Sequence, residues 1–172
     1  MLAAAALHEC GHLALLAAFR VPVEGLRLNA LGAVINAPGA ARLSYGRELA
    51  VTLAGPAVNL LAAPLTAALA RGGCARFYLP AAAHLALGLY NLLPILPLDG
   101  GRTLYLALAW IFGPTAGERA AAATGLACAA ALTAWSAHLA FAGGGMLLLL
   151  VSSGLLFGLL RQLGLANGGA SV

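Results

Sequence analysis

Long blocks of Ala, Leu and Val, broken by short clusters of Arg, Gly and Pro, divide this chain into about five hydrophobic segments. An α-helix needs roughly 20 predominantly apolar residues to cross a bilayer, so blocks of this length predict membrane spans. The first, 1–20, ends at Arg20. Over 21–47 the pattern changes: Pro22, Gly25, Asn29, Gly32, Asn36, Pro38 and Gly39 interrupt short runs, which predicts a short β-hairpin or re-entrant loop. Spans follow over about 48–70 and 77–97, and the second of these meets Pro94 and Pro97, which remove backbone donors and force an irregular end. Two more are predicted over about 119–141 and 146–161, with Gly143, Gly144 and Gly145 between them. The tail from Gly164 to Val172 is polar and glycine-rich and is expected to fray. With no internal repeat and no soluble domain apparent, the expected fold class is an all-α multi-spanning membrane protein, one membrane-embedded domain over 1–172.

Composition agrees with the pattern. Hydrophobic residues make up 62% and charged residues 8% of the chain, whereas a soluble domain carries charge on about a quarter of its residues. All nine basic residues are Arg against five acidic ones, for a net charge of +4. Such an excess would suggest nucleic acid if it formed one solvated patch, but the arginines punctuate apolar segments, so no nucleic-acid partner is expected. Cys10, Cys74 and Cys128 are too few and too scattered for a disulfide framework, and none forms a C-x-x-C pair.

Against this background His8-Glu9-Cys10-Gly11-His12 stands out. Residues four apart lie one turn apart on one helical face, so His8 and His12 can direct their imidazoles at a single zinc ion. Glu9 sits beside them, able to take a proton from a water that the metal activates. Three ionisable groups in one turn of an apolar helix are costly in hydrocarbon and mark function. Cys10 lies about 200° round the helix from His8 and should point away from the metal. A catalytic zinc takes three protein ligands and keeps one position for water. Asp99 is the candidate third ligand, since Asn91-Leu92-Leu93-Pro94-Ile95-Leu96-Pro97-Leu98-Asp99-Gly100-Gly101 places a carboxylate where prolines and glycines unwind a span. Unpaired backbone at that depth is tolerated only when buried in protein or facing a wet cavity. Two other polar residues carry blander expectations, a structural hydrogen bond for Asn59 and a satisfied packing role for His84.

The zinc motif, followed by Gly55-Pro56-Ala57-Val58-Asn59 and then the Asn91 to Gly101 stretch, resembles the site-2 protease family of intramembrane zinc metalloproteases, peptidase family M50. Within it the likeness is to the bacterial stage IV sporulation protein FB type. The resemblance covers about residues 7–115, with the last two spans fitting more loosely. It implies one Zn2+ per chain, held by His8, His12 and Asp99, with Glu9 as catalytic base and Asn91 positioning the substrate or polarising its carbonyl. It implies that 21–47 is a membrane-associated hairpin offering a strand edge to an unwinding substrate. The implied partners are a membrane protein substrate, such as a membrane-tethered transcription factor precursor, the lipid bilayer and membrane regulators. Family members carry a longer apolar stretch before the zinc motif, so a further N-terminal segment is expected ahead of the seven residues that precede His8.

Arginine placement bears on orientation. If successive spans cross the bilayer, Arg20, Arg27, Arg42, Arg47, Arg102, Arg119 and Arg161 share one side and Arg71 and Arg76 the other, which makes the first side cytoplasmic and opens the site towards it. The expected activity is that of a zinc metalloendopeptidase of the cell membrane. The competing readings are a zinc-binding membrane protein without peptidase activity, in which Glu9 has no purpose, and a small ion or proton transporter relaying through His12 and Asp99.

Overall fold

The computed structural model describes residues 2–29 and 32–164. Among them the order is α1 (Leu2–Ala18), β1 (Gly25–Asn29), β2 (Gly32–Asn36), a 3₁₀ turn (Pro38–Arg42), α2 (Tyr45–Arg71), a second 3₁₀ turn (Ala75–Phe77), α3 (Tyr78–Asn91), α4 (Asp99–Phe112), α5 (Pro114–Phe141) and α6 (Met146–Gln162). The fold is helical. The expected fraying of the tail concerns residues that lie, from 165 on, outside the described ones. Contacts divide the chain into two compact units, Met1–Leu92 and Leu93–Val172.

The first unit is built on small residues. Ala4, His8, Gly11, His12 and Leu16 form the buried stripe of α1, at the three- and four-residue spacing of one helical face. A Cβ on Gly11 would lie 2.6 Å from the carbonyl oxygen of Ala54, so only glycine lets α1 approach α2 this closely. On α3, Gly88 serves the same purpose, since its missing Cβ would meet Leu60 at 3.0 Å and Asn59 at 3.4 Å. The strands pair antiparallel, Gly25 opposite Asn36 and Leu26 opposite Ile35. Ile35, Ala37, Ala40 and Leu43 pack against the cluster of Leu16, Val21 and Val51, which ties the segment to the end of α1 and the start of α2. Arg47 stacks over Phe19 at 5.5 Å across the same junction.

The second unit departs from expectation at its start. The span expected to run to residue 97 ends as a helix at Asn91, and a further helix, α4, fills 99–112 where no element was expected. Glycine and proline at 94–101 mark the break, but beyond it Leu104 to Phe112 is uninterrupted and apolar, enough to restart a helix. Gly101 packs directly on the backbone of Ile95 and Leu96, which leaves no room for a side chain. On α5 the buried residues Gly117, Ala121, Gly125 and Ala129 recur every fourth position, and a Cβ on Gly117 would strike the backbone of Ala109. Ser152 on α6 donates to Ser136 on α5 at 3.3 Å, a buried polar pair that holds these helices in register.

Two helices, Tyr45–Arg71 and Pro114–Phe141, are long and apolar enough to cross a membrane. At 1.5 Å per residue each extends about 40 Å, against roughly 30 Å of hydrocarbon. Leu61, Leu65 and Leu69 are 67%, 68% and 55% exposed along one outer face of α2, a continuous leucine stripe that suits lipid.

Candidate metal centre

The stripe that packs α1 on α2 also carries His8 and His12, 5% and 8% exposed. Their Nε2 atoms stand 3.2 Å apart. Two nitrogens each about 2.0–2.1 Å from a tetrahedral zinc are about 3.3 Å apart, so the pair has the spacing of two ligands to one ion. The space beside them is kept open by Gly55 of α2, since a Cβ there would fall 2.8 Å from Nε2 of His8 and nearer still to Nε2 of His12. Donor chemistry and cradle therefore fit a zinc ion.

Outer partners orient both rings. Nδ1 of His12 lies 2.7 Å from the carbonyl oxygen of Val51. A carbonyl only accepts, so the ring hydrogen sits on Nδ1 and Nε2 presents its lone pair. Pro56, inside α2, has no N–H for the carbonyl of Thr52, next along the chain from Val51. Nδ1 of His8 lies 3.2 Å from Nδ2 of Asn59, whose Oδ1 is in turn 3.0 Å from Nδ1 of His84. Asn59 is fully buried and His84 nearly so. A hydrogen-bonded line thus runs from α3 through α2 to α1.

The other singled-out residues take varied places. Glu9 is half-buried beside His8 on α1, while Cys10 is exposed on the far side of the helix. Asp99 occupies the first position of α4, where a carboxylate favours the positive end of the helix. Asn91, at the end of α3, donates through Nδ2 to the carbonyl oxygen of Leu87 at 3.1 Å, so its amide nitrogen is engaged within its own helix. Asn59 makes a structural hydrogen bond to α1, in line with its expected role, whereas its link to His84 and the close approach at Gly55 were not expected. The signal in the chain was the four-residue spacing of Gly55 and Asn59, which puts both on the face of α2 that meets α1.

The model of peptidase family M50 matches residues 68–134, which take in the end of α2, α3, the break before Asp99, α4 and most of α5. Among solved structures, the site-2 protease from Methanocaldococcus jannaschii is similar, with a TM-score of 0.71 and 25% sequence identity over 93% of this chain and 74% of that one. That coverage extends the likeness over nearly the whole chain, well beyond the reach of the family model. No curated protein matches the chain. Sequence over the Asp99 break and backbone over nearly the full length agree: the chain is similar to peptidase family M50 and to a site-2 protease, and is an intramembrane metalloprotease.

Proposed function

We propose that this protease holds one zinc ion through His8, His12 and Asp99 and that Glu9 is its catalytic base. The observation that carries the reading is the His8–His12 pair, its Nε2 atoms 3.2 Å apart on the packed face of α1 beside Gly55; Asp99 joins it through the resemblance of the 91–101 stretch. Two neutral imidazoles and one carboxylate are a donor set that zinc favours, and they leave one position for a reacting oxygen. When bound, zinc polarises the scissile carbonyl and acidifies water, and that is its contribution to the chemistry. Glu9, one residue from His8 and not a ligand, accepts the proton of the attacking water and returns it to the departing amine. Gly55 and Gly11 hold α1 tightly to α2, so the two histidines need little reorganisation.

Substrates are membrane protein segments that open into an extended strand, because a closed helix buries its scissile carbonyls. The hairpin of β1 and β2 serves as the strand edge that receives them, anchored through Ile35. The likeness to the sporulation branch points to a membrane-tethered transcription factor precursor as the natural substrate, with membrane regulators controlling access. We place the spans at α1, α2, the broken pair α3 and α4, α5 and α6, with the site open to the cytoplasm.

Glu9→Gln tests the central assignment. Zinc per chain should be unchanged while cleavage of a reconstituted membrane substrate falls by at least about a hundredfold. Undiminished cleavage would remove Glu9 from the mechanism, and loss of zinc would make it a ligand.

A further inference from the structure

We infer that Asn59 and His84 are positioning residues that set which nitrogen of His8 carries its hydrogen, and thereby whether His8 is ready to bind metal. The inference rests on the zinc reading above and goes beyond its three ligands.

It starts from hydrogen bookkeeping. Nε2 of His12 presents a lone pair, because Nδ1 is committed as a donor to Val51. For His8 the partner at Nδ1 is an amide nitrogen, which only donates. With the Asn59 amide so turned, Nδ1 of His8 accepts and its ring hydrogen lies on Nε2, the atom 3.2 Å from the lone pair of His12. That arrangement suits two histidines bonded to each other. It does not suit two histidines bonded to one ion, which requires a lone pair on both Nε2 atoms.

A half-turn of the Asn59 amide resolves the conflict without moving any backbone. Oδ1 then faces His8 and accepts from Nδ1–H, leaving Nε2 of His8 with its lone pair. Nδ2 faces His84 at the same 3.0 Å separation and donates to its Nδ1. His84 can join in either orientation, because a neutral imidazole donates or accepts at Nδ1 according to its own tautomer. A residue restricted to one role there would lock the amide. Burial makes the bookkeeping strict: Asn59 is 0% and His84 6% exposed, so bulk water does not make good a hydrogen bond lost at either. The structure also keeps the relay in place, since Gly88 allows α3 to lie against Asn59.

The relay makes a prediction that simple packing does not. Outer partners of ligating histidines typically account for about 10–100-fold in metal affinity. Asn59→Leu, close in size but with no acceptor, should therefore weaken zinc binding about 10–100-fold in competition with a chelator. Asn59→Asp, which keeps an acceptor for Nδ1–H of His8, should recover most of that loss. Structural damage alone would lower both variants alike, or spare the leucine variant more than the buried carboxylate. An equal loss in the two would overturn the inference. Should Asn59→Leu fail to fold, ¹⁵N resonances of the histidine rings in the zinc-loaded wild-type protein decide the matter. Zinc on Nε2 of His8 with hydrogen on Nδ1 supports the relay, and zinc on Nδ1 overturns it. The underlying zinc reading fails separately, and visibly, if wild-type protein retains no zinc under conditions that keep it folded.

Discussion

At the scale of single residues, the site depends as much on missing side chains as on present ones. Gly55→Ala should raise helix propensity by up to about 1 kcal/mol, yet its new Cβ would intrude on Nε2 of both histidines. We expect unchanged helical content with zinc affinity reduced at least about tenfold, read by circular dichroism and metal analysis on the same sample. Zinc held as tightly as by wild type would show that the metal does not sit beside α2. Asp99→Ala should likewise lose zinc, whereas Cys10→Ala should keep it, because Cys10 is exposed away from the buried histidines. The candidate residues were legible in the chain. His8, Glu9 and His12 could be read because their spacing matches one helical turn, and Asp99 because prolines and glycines advertise a break. The partner of His12 could not be read, being a backbone carbonyl of Val51 whose position depends on how two helices meet. Asn59 and His84 were visible as polar residues in apolar spans, but their linkage depends on the packing of α3 on α2.

At the scale of elements, breaks were easier to see than restarts. Pro94, Pro97 and the glycines at 100 and 101 announce the end of α3, and the same residues obscure α4, whose apolar run begins only after Arg102. The hairpin adds a constraint that its sequence did not show. Ile35 is half-buried against Leu16, Val21 and Val51, so Ile35→Ala disturbs the anchor as well as the strand. Ile35→Val is the gentler comparison, removing one methylene at a typical cost of about 0.5–1.5 kcal/mol in a full core. If the hairpin receives substrate through main-chain hydrogen bonds, Ile35→Pro, which removes an N–H and fixes φ, should reduce substrate crosslinking far more than Ile35→Val at equal zinc content. Faster cleavage of a short unstructured peptide by the proline variant would instead mark the hairpin as a plug over the site.

At the scale of the whole molecule, helix lengths refine the orientation argument. α3 and α4 have 14 residues each, about 21 Å apiece, so neither crosses roughly 30 Å of hydrocarbon alone while the two together exceed it. Taken as one broken span, they place Arg102 inside the span and out of the loop count. Arg20, Arg27, Arg42, Arg47, Arg119 and Arg161 then stand against Arg71 and Arg76, still six to two in favour of a cytoplasmic side for the first group. The chain carries its own reporter for this arrangement, because Cys74 is exposed in the short loop between Arg71 and Arg76. With Cys10 and Cys128 replaced by Ala, a membrane-impermeant maleimide added to intact cells should label Cys74. A cysteine introduced as Gln162→Cys, at the exposed end of α6, should react only after permeabilisation when Cys74 is also replaced. The reverse pattern would turn the molecule over and open the site away from the cytoplasm, contrary to the arginine count, while leaving the histidine pair and its outer partners as they stand.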